Sequence, residues 1–461
     1  MVFSSILFLF RFLPIAFVAY YLTPSRFKNL TLLIASLVFY SWGEIRYFPI
    51  MVSVILVNYI AGLLIEKWRE KQGLRRTVLI VSVIFSVGFL AFFKYSNFLI
   101  SNLNALAGTA IPYLEVTKNL PLGISFYTFQ ILTYTIDVYL QKINAERNII
   151  NFGTFVVLFP QLIAGPIVKF ADIHKELHER KICPSNIQDG ITLFILGLGS
   201  KVLLANSIGA LWTKIGEVGF DNISTPLAWI GITAFTLQIY FDFSGYSLMA
   251  IGMGRALGFH FPQNFNYPYI SRSITEFWRR WHMTLSGWFR EYLYFPLGGS
   301  RVGTARQYFN LFVVWAATGL WHGASWNFVL WGLYFFVLIS FERLFLKPIL
   351  DKHRLFSHVY LILAVVLGWV LFAITDMNQM GVFFKNLFVF RGGDDWMFYL
   401  RNYAVVLVLG IIMSTPWLKN FSIRHKALTR WLETPFLLLI FFLSVAYLVD
   451  STYNPFLYFR F

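Results

Sequence analysis

The sequence predicts an all-α integral membrane protein with about eleven transmembrane helices and re-entrant or interfacial helices between them. Three observations carry that reading. Hydrophobic residues make up 57% of the 461-residue chain and charged residues 13%, against about 45–50% and about 25% in soluble domains. The mean hydropathy is +0.63. The apolar residues are gathered into stretches long enough to cross a bilayer, with basic residues between them. A water-soluble enzyme and a disordered chain are thereby excluded. Aromatic residues reach 20%, as expected where many rings sit at membrane interfaces.

A hydrocarbon core of about 30 Å needs about 20 apolar residues in a helix. Such stretches lie at 3–23, 29–43, 48–66, 77–100, 120–140, 189–213, 226–254, 309–346, 357–375, 402–418 and 434–449. The first reads as a retained helix rather than a signal peptide, because Arg11 interrupts it and no small-x-small site follows. The stretch 309–346 has room for two short helices with a break near Trp321–Trp326. The run 151–168 is short and holds Pro160, Gly165 and Pro166. It reads as a re-entrant segment, since broken backbone survives at membrane depth only where protein buries it.

The net charge of +16 sets topology rather than pointing to nucleic acid, because the basic residues fall between apolar segments. Arg26 and Lys28 follow the first helix; Lys67, Arg69, Lys71, Arg75 and Arg76 follow the third; Lys142, Arg147 and the stretch 169–181 follow the fifth. The alternate loops 43–48 and 101–119 are poor in Lys and Arg. The positive-inside rule then places the N-terminus outside and the basic loops in the cytoplasm. The lone Cys183 excludes an internal disulfide. With no repeat or soluble module in view, residues 1–461 read as a single multi-pass domain.

Residues 259–309 break the hydrophobic logic. Ser273-Ile-Thr-Glu276 fits a capping box. In the helix it would start, Trp278, Trp281, Leu285, Trp288, Phe289 and Tyr292 recur at three and four and give an aromatic face. Arg279, His282, Ser286 and Arg290 fall on a neighbouring face. The bland reading is an interfacial helix with rings in lipid and arginines on headgroups. The entry with Pro262, Asn264, Asn266 and Pro268 argues instead for chain folded into the protein body, where an ionisable group marks a candidate site.

Thr318-Gly-Leu-Trp-His-Gly-Ala-Ser-Trp326 is the second anomaly. Of eight histidines, His322 alone sits in the middle of a long apolar region, flanked by small residues that admit a close helix or ligand. A lone buried histidine is often a satisfied core residue. With His282 upstream, the pair offers a base for an acceptor hydroxyl and a second group to polarise a carbonyl or support an oxyanion. That is acyl transfer without a covalent intermediate. No GxSxG, SxxK or phosphate-binding glycine loop is present. In His174-Lys-Glu-Leu-His178 a lysine replaces the glutamate of a zinc-binding HExxH, so a solvated helical face is expected there and no metal. Asp137 and Asp242, the latter one turn beyond Gln238, suit either a structural polar network or a proton relay; the structural role is the preferred reading, with Arg279 or Arg280 as partner of Asp242.

The motifs DFSGYS (242–247), QNFNYPYIS (263–271), ITEFWRRWH (274–282) and GLWHGASW (319–326), closing with NPFLYFRF (454–461), together resemble the membrane-bound O-acyltransferases. The bacterial branch that O-acetylates alginate and related cell-surface polymers is most similar, over essentially the whole chain. The resemblance implies a ring of tilted helices around a central tunnel, with a catalytic region at about 238–335. His322 matches the family's near-universal histidine, and His282 a second catalytic-region position. It also implies acetyl-CoA or another pantetheine thioester as donor substrate, no bound cofactor, and a bacterial inner-membrane location. Acetyl would pass to a periplasmic esterase-like partner that modifies the polysaccharide. Asn264, Trp278, Trp281, Ser286, Trp321 and Trp326 would line the tunnel, with Arg279 and Arg280 orienting the helix or meeting the donor's charge. Leu248 and Phe335 stand where alginate-type relatives often carry an acid and a histidine. A peptidoglycan acceptor, and from another class a transporter lined by the same ionisable groups or an idle scaffold, remain the alternatives.

Overall fold

The computed structural model describes residues 2–117, 120–163, 165–450 and 457, and every regular element among them is helical. Seven helices among the described residues are long and apolar enough to cross a membrane. These are Ser25–Lys67, Gln72–Ala107, Pro184–Val218, Trp326–Lys352, Arg354–Ala373, Asp395–Met413 and Trp431–Asp450. Large apolar side chains such as Ile84, Leu106, Val405 and Val449 are exposed along them. Apolar surface on this scale is stable only against lipid. The chain is a multi-pass membrane protein.

The span count differs from the apolar stretches for identifiable reasons. The stretches 29–43 and 48–66 join into one helical segment, with only a 3-10 turn at Ile45–Tyr47 between them. The first stretch yields the shorter helix Phe8–Leu22, and 120–140 yields a helix of 16 residues, Ile124–Tyr139. The helix Thr225–Ala256 has 32 residues but carries Gln238, Asp242 and several hydroxyls, which lower its apolar character.

The chain divides into two compact units, Met1–Phe194 with Met249–Pro262, and Ile195–Leu248 with Gln263–Phe461. In the first, Ile124–Tyr139 packs against Phe48–Lys67 and Gln72–Ala107 and is buried along nearly its whole length. Asp137 is buried there and pairs with Lys142 at 3.2 Å. The expected re-entrant run forms two short helices, Ile149–Val157 and Phe159–Leu162, broken at Leu158. Asn148 caps the first through Ile150 N–H at 2.8 Å, and Pro160 sits in the first turn of the second, where its missing N–H is harmless. Both are buried, as broken backbone in a membrane protein requires. Ala164 of this run lies outside the described residues.

In the second unit, Thr304–His322 and Trp326–Phe341 form an antiparallel hairpin, and Arg354–Ala373 packs on its second arm. The break predicted at Trp321–Trp326 is the turn of this hairpin. The short helix Ile274–Arg280 leans on Trp326–Phe341 and on Arg354–Ala373, which brings the 264–290 region to the hairpin end that carries His322.

Candidate active site

His322 is the last residue of Thr304–His322, and two glycines put it there. The Gly319 and Gly332 backbones meet where the hairpin arms cross. A Cβ on Gly332 would stand 2.5 Å from the Trp315 carbonyl oxygen and 3.3 Å from Gly319 Cα. Only glycine at both positions lets the arms touch this closely. His322 then lies buried among rings. Trp321 is 5.0 Å away, Trp331 4.9 Å and Phe372 5.3 Å, all edge-on.

His282 is placed differently. Half of the expected capping box forms: Ser273 Oγ accepts the Glu276 N–H at 3.0 Å, while the Glu276 carboxylate accepts the Arg272 N–H at 2.9 Å in place of the Ser273 N–H. The helix nevertheless ends at Arg280, and a second short one runs Met283–Phe289, followed by a π turn at Arg290–Tyr294. The continuous helix expected from the aromatic spacing is thus broken at Trp281–His282. His282 has φ +43°, a left-handed conformation that costs a non-glycine residue about 1–3 kcal/mol and persists only where the surroundings enforce it.

Asn264 enforces it. Its carbonyl oxygen accepts the Met283 N–H at 2.9 Å, replacing a helical bond lost at the break. Its Oδ1 accepts from Thr284 Oγ1 at 2.9 Å and from Thr284 N–H at 3.3 Å. Its Nδ2 donates to Ser247 Oγ at 3.0 Å. Since Oδ1 is the acceptor in this network, His282 Nδ1, 3.0 Å away, must be the donor. The neutral ring then has Nε2 as its acceptor nitrogen.

One aromatic cluster joins the two histidines. Trp321 lies 6.0 Å from the His282 ring and 5.0 Å from the His322 ring, and Phe243 packs edge-on against His282 at 4.7 Å. Trp278 and Trp281 are buried in the same cluster, Trp278 against Trp331 at 5.4 Å and Phe335 at 4.9 Å. The rings of 278 and 281 therefore face protein and not lipid, against the interfacial-helix reading.

Several expected positions fall elsewhere. Asp242 meets neither arginine: its carboxylate pairs with Lys201 at 2.6 Å, both buried, and accepts the Leu457 N–H at 2.9 Å. A lysine is the partner because Lys201 comes from the neighbouring membrane segment, whereas Arg280 is held by Glu276 at 2.9 Å and donates to the Asn266 carbonyl at 3.2 Å. Arg279 is exposed. Gln238 is buried against Gly209, and the Lys201–Asp242 pair forms without it. Trp326 is 53% exposed, because it begins the second hairpin arm on its outer side. Ser286 is half-buried, with its N–H on the His282 carbonyl at 3.1 Å. Of the closing motif 454–461, all but Leu457 lies outside the described residues.

Three contributors escaped the sequence reading. Lys201 is the only cation in the apolar stretch 189–213, which was the available signal. Glu342 is 3% exposed and accepts Thr275 N–H at 3.1 Å, Thr275 Oγ1 at 3.0 Å and the Ile274 N–H. It thereby satisfies the helix start that positions Trp278 and Trp281. Ser247, within the DFSGYS motif, supports Asn264. Nothing local in the sequence links Glu342 to residue 274.

A buried pair of imidazoles, one with a fixed tautomer, in a ring-lined setting suits proton transfer away from bulk water. A sequence profile of the membrane-bound O-acyltransferase family matches residues 37–382. The chain belongs to this family. It is an acyltransferase. A probable alginate O-acetylase AlgI from Pseudomonas putida is 37% identical over the full length of both chains. A peptidoglycan O-acetyltransferase from Helicobacter pylori is 32% identical over 100% of this chain and 98% of its own. A teichoic acid D-alanyltransferase from Bacillus subtilis is 27% identical over 49% of this chain and 60% of its own. Family membership together with the names of the two full-length relatives supports membrane O-acetylation of polysaccharide. The matched span includes both histidines, Asn264 and the glycine crossing.

Proposed function

We propose that this membrane-bound O-acyltransferase moves an acetyl group from a cytosolic thioester, acetyl-CoA or another pantetheine thioester, to the outer side of a bacterial inner membrane. There it serves O-acetylation of an alginate-like exopolysaccharide. The observation that carries the proposal is the burial of His322 and His282 in one aromatic cluster, bridged by Trp321, in a chain of this family. His322 takes the proton from an acceptor hydroxyl while the oxygen attacks the thioester carbonyl. The C–S bond breaks, and the proton leaves with the thiol. A neutral His282 whose Nδ1 donates to Asn264 accepts at Nε2, so it suits holding a substrate N–H or O–H better than donating to an oxyanion. Burial strengthens each of these polar interactions.

The N-terminus lies outside and the basic loops lie in the cytoplasm, on the distribution of Lys and Arg. The whole chain works as one membrane domain, with residues 238–335 as its catalytic region around a tunnel lined by Asn264, Trp278, Trp281, Ser286 and Trp321. A periplasmic esterase-like partner completes transfer to the polymer, as the resemblance to the branch that acetylates alginate and related polymers implies. The full-length likeness to the Helicobacter pylori peptidoglycan O-acetyltransferase favours peptidoglycan as the second reading. Both acceptors are tested by deleting the gene in its host, restoring wild type or His322→Ala, and measuring ester-linked acetate on exopolysaccharide and on peptidoglycan separately. Wild type should restore acetate to the exopolysaccharide and His322→Ala should not. Restoration on peptidoglycan alone selects the second reading, and equal restoration by both proteins sinks the role of His322.

A further inference from the structure

We propose that Glu146, His174 and His178, all in the first compact unit, form a divalent transition-metal site, best suited to zinc, which binds independently of the acyltransferase centre. One atom from each of the three residues lies within 4.8 Å of the other two. The helix Phe170–His178 buries Phe170, Ile173 and Leu177, which turns His174 and His178, one turn apart, to the same side. Their rings stand 5.0 Å apart. Two histidines at i and i+4 are a common way for a helix to present two metal ligands.

Lys175 stands where HExxH has its glutamate, which in that motif is a general base and not a ligand. The fold supplies a carboxylate from elsewhere. Glu146 is 4% exposed, although it comes from the chain just before the re-entrant run. Its backbone N–H donates to Tyr134 Oη at 3.0 Å, and its Oε1 accepts the Asn148 N–H at 2.8 Å. Both bonds orient the carboxylate so that Oε2 points at His178 Nε2, 2.8 Å away. A buried carboxylate with one oxygen held by a backbone N–H is the supporting arrangement that tunes metal ligands. A solvated helical face does not require it.

Two imidazoles and one carboxylate match the His2Glu donor set of zinc sites that keep a fourth position open. Bonds of about 2.0–2.2 Å need ligand atoms closer together than the widest separation here. His174 is half-buried and His178 exposed, so both rings can close by side-chain rotation around the fixed Glu146. The nearby Arg147 is engaged by Glu66, which removes one competing cation from the carboxylate. Bound metal would tie Phe170–His178 to the chain ahead of residue 149. The same helix is also held by Glu176, which accepts the His260 N–H at 2.9 Å.

The test uses the full-length protein in detergent, tag removed and metal-stripped, titrated with zinc chloride alone against a coloured chelator. Wild type should bind about one zinc per chain with a higher unfolding temperature. The His174→Ala/His178→Ala double variant should lose both effects. Glu146→Gln should weaken binding at least about tenfold, and His260→Ala should bind as wild type does. Because both histidines reach the surface, the double variant tests the site even if Glu146→Gln fails to fold. No zinc on wild type, or equal zinc on wild type and the double variant, overturns the proposal and leaves His178–Glu146 as an ion pair only.

Discussion

His282 and His322 share one aromatic cluster but are held there by different physics. His322 ends a long helix whose position is fixed by packing: two glycines set the crossing, and three rings surround the imidazole. His282 stands at a break between two short helices, in a left-handed conformation stabilised by the hydrogen bonds of Asn264. Packing tolerates modest change of side chain but not change of volume at the crossing. A hydrogen-bonded break tolerates volume but not loss of an acceptor. The two histidines should therefore fail in different ways when their supports are altered.

The second unit also holds the buried Lys201–Asp242 pair. Lys201→Met would leave Asp242 as a buried, unpaired acid, which costs about 3–5 kcal/mol. Thermal unfolding in detergent should show the largest drop of the series. Lys201→Met/Asp242→Leu should recover much of it, and no recovery would mean that the pair does more than balance charge. Next comes Asn264→Ala, which removes the acceptor for Thr284 and His282. Displacing a catalytic group by about 1 Å can cost about a hundredfold in rate, so turnover should fall steeply while yield of folded protein falls less. Unchanged turnover would show that the His282 geometry does not matter to the reaction.

Gly332→Leu would sharpen the contrast from the other side. Overpacking the crossing should cost about 1–3 kcal/mol, read as a lower unfolding temperature, with turnover lost in proportion to folded protein. Arg279→Ala should be the mildest change. An exposed side chain away from special contacts is worth at most about 0.5 kcal/mol, and an effect confined to KM for the thioester would give Arg279 a role in meeting the donor's charge.

The hairpin was legible in the sequence because its turn is written in small residues, Gly323-Ala-Ser325, between apolar runs. The break at His282 was not, because the aromatic spacing continues across it. Both short helices bury rings in the same core, so a helical period survives where the helix does not. His322 stood out as a polar group amid apolar sequence, and His282 as part of a cationic face in a stretch that breaks the hydrophobic logic. Asn264 was expected to line the tunnel; its supporting role, like those of Ser247 and Glu342, was not legible, because these residues act across separations in the chain that no local pattern records. Asp242 was given an arginine partner and pairs with Lys201, the single lysine of the preceding membrane segment, which no short spacing in the sequence ties to it.

The central claim, that His322 drives transfer from a thioester, is tested most directly in sealed vesicles holding the purified protein. Acetyl-CoA labelled in the acetyl group is supplied on the side of the basic loops, and thioester loss is followed together with appearance of ester-linked label. A carrier-protein thioester and an added periplasmic partner are run alongside. Wild type should consume the label, and His322→Ala, folded to the same extent, should be slower by about a hundredfold to ten-thousandfold. Turnover by His322→Ala within a few-fold of wild type would contradict the account.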